Sequence, residues 1–147
     1  MKKTITSILI FFIAIFTFSL TSCGENEKLL IENHQWNFNI AQSKENNGAI
    51  IACAADKQAL YENAEVISLN CSFDNNILKL TEVDHQKEWI FTYKKIKQTQ
   101  TTTYSLKSSN YSNSEGYATV GFTHYDNADD EYTLILSISD YAIYFTA

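Results

Sequence analysis

Apolar and polar residues alternate along most of this chain, which is the period expected of a β-strand with one buried face. Residues 66–73 show it clearly, with an apolar side chain at every second position: Ile67, Leu69, Cys71 and Phe73. Residues 88–95 repeat the pattern, and there Trp89, Phe91 and Tyr93 share one face. The alternation therefore predicts a domain built from strands.

Nine segments carry a strand pattern, and turn-forming residues separate them. They are residues 36–40, 49–54, 66–73, 77–83, 88–95, 99–106, 117–125, 132–139 and 141–146. Their spacing of about 8–12 residues is typical of an all-β sandwich or barrel. Short turns between neighbours favour an up-and-down meander, which removes its open edges by closing on itself. We therefore expect a small antiparallel eight-stranded up-and-down barrel. In its first strand, Trp36, Phe38 and Ile40 should share a buried face.

Residues 56–65 break the alternation. They start at Asp56 and contain Leu60 and Ala64, with few β-branched residues. This pattern indicates about two helical turns with Asp56 as the N-cap. A lid or a plain connection is an equal alternative.

The first 22 residues differ from the rest. Lys2 and Lys3 precede an apolar run over residues 8–20, and small residues follow it. This run of 13 residues is shorter than the about 20 that a membrane-spanning helix needs. A positive start, an apolar centre and small residues before a cleavage point are typical of a secretory signal peptide, here residues 1–22.

The segment Leu20-Thr21-Ser22-Cys23 resembles the cleavage motif of bacterial lipoproteins, in which the cysteine is lipidated and becomes the new N-terminus. The resemblance implies a lipid-modified Cys23, a tether over residues 23–28 and one domain over residues 29–147. It places the protein in the bacterial cell envelope, anchored to the outer membrane, with its periplasmic or surface orientation open. Stable anchoring takes two or more acyl chains, such as palmitate.

Charge narrows the range of partners. The chain contains no arginine and no proline, and its formal net charge is −6. Loss of Lys2 and Lys3 with the signal peptide lowers that charge to −8. Nucleic-acid binding needs clustered Lys and Arg, so it is not expected. The membrane is expected as a partner through the lipid anchor alone.

Two cysteines remain once Cys23 is assigned to lipid. Cys53 and Cys71 would lie in an oxidising compartment, where such a pair usually forms a disulfide. The alternative is two buried free thiols that behave as small apolar residues. No CxxC spacing or nearby histidine pair accompanies them, so we expect no metal site.

Two short segments resemble motifs of the lipocalins and related calycin barrels. His34-Gln35-Trp36 stands where that family has Gly-x-Trp, without the glycine, and Ser139-Asp140-Tyr141 is similar to its Thr-Asp-Tyr. The second motif lies so near the end of the chain that only one strand follows it. The resemblance implies a barrel whose interior holds a small apolar ligand.

Candidate ligand-binding residues follow from the inward alternation. They are Trp36, Phe38, Trp89, Phe91, Tyr93 and His124. The aromatic residues could equally form a filled core, and His124 could be an ordinary rim residue. Residues 126–131 offer oxygen ligands for calcium, but they lack EF-hand spacing, which favours a hydrated loop. No motif for a nucleophile or a zinc hydrolase is found, so we expect no enzymatic activity and no cofactor.

These observations support three functions for an envelope-anchored lipoprotein. The first is a non-enzymatic, lipocalin-like binding module for a small apolar ligand. The second is an inhibitor or immunity protein that blocks another protein, and the third is a structural subunit of an envelope complex. A cavity of several hundred Å³ would favour the first. A filled core with a protruding loop, at residues 107–116 or 126–131, would favour the second.

Overall fold

Ten β-strands in one sheet make up the computed structural model, which describes residues 27–111 and 115–147. The strands are β1 (Asn37–Ser43), β2 (Ala49–Cys53), β3 (Glu65–Val66), β4 (Leu69–Asp74), β5 (Ile77–Glu82), β6 (Lys87–Gln98), β7 (Thr102–Ser108), β8 (Glu115–Thr123), β9 (Glu131–Ile138) and β10 (Tyr141–Thr146). Within these described ranges, no helix has the length and apolar character needed to cross a membrane. The predicted signal peptide, Cys23 and most of the tether lie outside them.

Eight of the strands close into a barrel. Strands β4 to β10 follow one another as an antiparallel meander, and β10 returns to pair with β1 along its length. The pair of Asn37 on β1 and Asn70 on β4 completes the ring. The predicted all-β, eight-stranded up-and-down barrel is therefore confirmed.

One continuous core fills most of the barrel. Alternate residues of each strand point into it, as the period of two requires. On β6, Phe91 and Tyr93 are buried and Trp89 packs against the same cluster. The fully buried side chains with the largest volumes are Phe91, Phe145, Ile31, Leu78, Leu134 and Leu136.

Strand β1 departs from strict alternation. Phe38 lies opposite Phe145 of β10, but Ile40 lies opposite the next residue back, Tyr144, so β1 carries one extra residue between them. Such a bulge reverses the faces of the residues that follow it. Ala41 is buried and Ile40 is only partly buried. The prediction of a buried face shared by Trp36, Phe38 and Ile40 is therefore wrong for Ile40.

Strand β2 widens one end of the barrel. It pairs antiparallel with the second half of β1, and β3 pairs with it in parallel. Because β3 leads directly into β4, β2 is inserted between β1 and β4 at this end. The wall there has one strand more than at the other end, and barrel diameter grows with strand number. We call the wide end, next to Ser43 and Tyr141, the mouth.

The opposite end, which we call the closed end, is covered by the segment that precedes β1. Leu29, Ile31 and Trp36 of this segment belong to the buried core. The Trp36 indole Nε1 donates a hydrogen bond to the Ile31 carbonyl oxygen at 2.8 Å. In turn, the Ile31 amide donates to the hydroxyl of Tyr104 on β7 at 3.1 Å. The segment thus fixes itself across the end of the barrel.

Residues 54–64 connect the parallel strands β2 and β3 without an α-helix. A 3₁₀ turn covers Ala55–Lys57, and the turns after it use i to i−3 hydrogen bonds, such as Leu60 to Lys57. The turn has no side-chain cap, and the Asp56 carboxylate pairs with Lys57 instead. The helix predicted over residues 56–65 is therefore wrong. Without an N-cap bond, local propensity yields only tight turns.

The expected disulfide between Cys53 and Cys71 is also wrong, because both cysteines are free. Cys53 on β2 is paired with Val66 of β3, and Cys71 lies five residues after Val66 in the sequence. Five extended residues span about 16 Å, whereas disulfide-linked Cα atoms lie within about 7 Å. Cys71 faces Leu80 across β4 and β5, as a small apolar residue would.

Candidate functional site

A cavity of about 580 Å³ lies at the mouth of the barrel, where β2 widens the wall. Its apolar lining comes from strands on both sides of the barrel: Leu69, Leu80, Trp89, Phe91, Ile138 and Ile143. Fully buried Phe91 belongs both to this lining and to the core beneath it. The cavity is therefore a continuation of the barrel interior.

Small side chains leave this space open. Ala41 of β1 has Ile143 of β10 opposite it on one side and Ala52 of β2 on the other, and all three line the cavity. Two alanines side by side leave volume that larger residues would fill, since protein interiors are otherwise close-packed. The inserted strand and the alanines together create the cavity.

The rim of the cavity is polar. It carries the side chains of Glu65, Glu82, His85, Lys87 and Tyr141. Glu82 and Lys87 stand opposite each other at the ends of β5 and β6. The Glu82 carboxylate hydrogen-bonds His85 Nδ1, and the Glu82 side chain is only 13% exposed. A few polar groups above an apolar lining are the usual make-up of a small-molecule site.

Two of the six sequence-predicted ligand residues line this cavity. They are Trp89 and Phe91, which the alternation of β6 turns inward. Trp36 covers the closed end. The Phe38 ring packs edge-on against the Phe145 ring, with 5.9 Å between the ring centroids. Tyr93 is buried further along β6, beyond the cavity lining.

The sixth residue, His124, lies away from the mouth. It follows the end of β8 at the closed end, is exposed, and its Nδ1 lies 2.7 Å from an Asp130 carboxylate oxygen. The neighbouring Tyr125 hydroxyl donates to Glu131 at 3.0 Å. Acidic residues of this loop therefore bond to side chains of the same loop. Within the described part of the chain, no group of three or more potential metal ligands occurs.

Buried hydroxyl groups connect the closed-end segment to the barrel. The Tyr93 hydroxyl donates to a Glu32 carboxylate oxygen at 2.7 Å. Burial, and then this bond to Glu32, raise the pKa of Tyr93. Burial also raises the pKa of Tyr104, whose hydroxyl accepts the Ile31 amide. Both tyrosines are held in their neutral form at physiological pH.

Sequence reasoning did not single out the polar rim. The alternation of inward-facing residues does extend to the rim. Glu82 follows Leu78 and Leu80 at every second position, and Lys87 precedes Trp89 and Phe91 in the same way. Charged residues at strand ends look like ordinary surface positions. The β5–β6 hairpin brings Glu82, His85 and Lys87 together, and closure of the barrel places them above the cavity.

Comparison with protein families, with curated proteins and with solved structures finds no match for this chain.

Proposed function

We propose that this protein is a non-enzymatic binding module that holds a small apolar ligand in the mouth of its barrel. The observation that carries the proposal is the apolar cavity of about 580 Å³. Small-molecule sites have volumes of about 300–1,000 Å³ and are lined mainly by apolar and aromatic side chains. A cavity of this size also favours a ligand carrier over the inhibitor and subunit alternatives.

The contrast between the two ends of the barrel supports this reading. At the closed end, Trp36 and Ile31 seal the core and are 7% and 0% exposed. At the mouth, Tyr141 is 47% exposed and Ile51 is 36% exposed, although both line the cavity. Apolar surface left open to water at one end gains free energy when a ligand covers it.

The absence of a nucleophile in the cavity supports a role without catalysis. His85 and Glu82 form a pair that could act as a general base. However, the described residues that line the cavity include no serine, threonine or cysteine beside that pair. A base with no side-chain nucleophile beside it is not the nucleophile–base pair of covalent catalysis.

We further propose that Cys23 carries a lipid anchor, on the strength of the Leu20-Thr21-Ser22-Cys23 motif. The described chain begins at Glu27, just ahead of the closed-end segment. The four Cα-to-Cα steps from Cys23 to Glu27 span at most about 14 Å. Anchoring would therefore hold the closed end near the membrane and leave the mouth directed away from it.

The anchor has its own test. Replacement of Cys23 by serine should move the protein from the membrane fraction to the soluble fraction. Mass spectrometry of the N-terminal peptide of the unchanged protein should show a covalently bound diacylglyceryl group. An unmodified Cys23 peptide would contradict the proposed anchor.

Ligand binding is tested by filling the cavity. N-phenyl-1-naphthylamine, a neutral apolar dye that fluoresces when it leaves water, should bind the unchanged protein. Ala52→Phe places a large ring in the cavity and should abolish binding. The matched control is Ala59→Phe, at an exposed position in the connection between β2 and β3. Equal dye binding by both variants, with melting temperatures like that of the unchanged protein, would contradict the proposal.

A further inference from the structure

Lys87 is an exposed residue that also lines the cavity. It opens β6, and its side chain lines the cavity on the same face as Trp89 and Phe91. A lysine side chain can lie along apolar surface and keep its ammonium group at the water boundary. An exposed lysine that lines the cavity can therefore hold its ammonium group where the apolar cavity meets the solvent.

The carboxylate opposite Lys87 is engaged elsewhere. Glu82 faces Lys87 across β5 and β6, yet its carboxylate hydrogen-bonds His85. In the described part of the chain, the ion pairs within 4.0 Å do not include Lys87. The mouth therefore presents a cation without a bound carboxylate.

The acidic groups of the rim offer less to a ligand of positive charge. Glu82 is largely buried and already bonded to His85. Glu65 lies on the two-residue strand β3 and is exposed, as Lys87 also is. A cationic head group would also meet Lys87 at the same rim.

We propose that the ligand is an amphiphile with an anionic head group, such as a long-chain carboxylate. Its head group pairs with the Lys87 ammonium, and its apolar body lies in the cavity against Trp89 and Leu80. This assignment rests on the proposed function, and it makes Lys87 the residue that selects the charge of the ligand.

Three amphiphiles with the same chain and different head groups test the assignment. Dodecanoate, dodecan-1-ol and dodecylamine would be compared by their ability to displace N-phenyl-1-naphthylamine, each below its micelle concentration. Dodecanoate should bind about five-fold more tightly than dodecan-1-ol, the ratio that about 1 kcal/mol gives for one partly exposed charge pair. Dodecylamine should bind most weakly.

Variants at two lysines, Lys87 and Lys94, test which residue causes the preference for dodecanoate. Lys87→Met should remove the preference for dodecanoate over dodecan-1-ol, and Lys87→Gln should do the same with a polar side chain. Lys94→Met makes the same change on the same strand at an exposed position outside the cavity lining, and should keep the preference.

The outcomes distinguish an error in the head-group assignment from an error in the proposed ligand site. Dodecylamine binding as tightly as dodecanoate, or a preference that survives in Lys87→Met, would overturn the anionic assignment and leave the cavity as a ligand site. Failure of the folded protein to bind the dye and all three amphiphiles would overturn the proposed function, and the head-group assignment with it.

Discussion

The indole of Trp36 and the carbonyl of Ile31 form a hydrogen bond of 2.8 Å at the closed end of the barrel. Both residues are buried, Ile31 completely. Polar groups that are withdrawn from water need a partner, so the bond satisfies the Ile31 carbonyl where solvent cannot. It fixes the segment that covers one end of the barrel, and the cavity lies at the opposite end.

Loss of this bond should destabilise the fold. Trp36→Phe keeps an aromatic ring but leaves the Ile31 carbonyl without its donor, which costs about 1–3 kcal/mol. Urea unfolding should show that decrease in the free energy of unfolding. The matched control is Trp89→Phe in the half-buried cavity lining, which should cost less. Equal costs for the two variants would contradict the role given to the closed-end segment.

Gly116 on β8 should tolerate no side chain. A Cβ at this position would overlap the backbone oxygen of Ser137 on β9, so the two strands would have to move apart. Gly116→Ala should therefore lower the free energy of unfolding by about 1–3 kcal/mol or more, as overpacking does. A lower melting temperature would show this loss. Gly121→Ala on the same strand meets only the Thr101 methyl group at 3.5 Å. It should be close to neutral, and a loss equal to that of Gly116→Ala would disprove this reading of the β8–β9 contact.

Both cysteines should remain reduced in the folded protein. Cys53 is fully buried, and burial raises the pKa of the Cys71 thiol, so little thiolate forms at neutral pH. Iodoacetamide should label both slowly in buffer and rapidly in urea, and reducing agent should leave the melting temperature unchanged. Non-reducing mass spectrometry that finds a Cys53–Cys71 bond would contradict the pairing of β2 with β3, which places Cys53 beside Val66.

The stability of the fold should decrease at alkaline pH. The pKa values of Tyr93 and Tyr104 are raised in the folded state, and an unfolded tyrosine ionises near pH 10. Above about pH 10 the unfolded chain loses these protons while the folded chain keeps them. The stabilisation is therefore complete below that pH and is lost as the pH rises towards the folded pKa values.

Absorbance at 295 nm against pH would follow this ionisation. Tyrosinate from the two buried tyrosines should appear only together with unfolding. Tyr93→Phe should make the alkaline loss of stability less steep, whereas Tyr117→Phe, at an exposed position, should not change it. An alkaline transition unaffected by Tyr93→Phe would contradict the burial assigned to that hydroxyl.

Much of this fold follows from alternation alone. The period of two in residues 66–73 and 88–95 indicates strands with one buried face, and short turns between neighbours indicate a meander. Two of the predictions drawn from the sequence, those for Ile40 and for the disulfide, were wrong because contacts between strands determined these positions. The bulge after Phe38 turned Ile40 outward, and pairing of Cys53 with Val66 separated the two cysteines.

The site was predicted only in part. Trp89 and Phe91 were found because they alternate on a long strand, and both line the cavity. The insertion of β2 beside β1 could not be foreseen, since an apolar segment such as residues 49–54 does not specify its partner strand. That insertion widens the mouth, whereas the β5–β6 hairpin carries Glu82, His85 and Lys87 to its rim.

Native mass spectrometry of the protein, gently extracted from its own cells, is the decisive test of ligand binding. The proposed binding module predicts an extra mass of a few hundred daltons that is lost on denaturation. Lipid covalently bound at Cys23 would survive that denaturation, so the two are distinguished. A protein free of small ligands that co-purifies with a second protein would contradict the claim, and would favour an inhibitor or a subunit of an envelope complex.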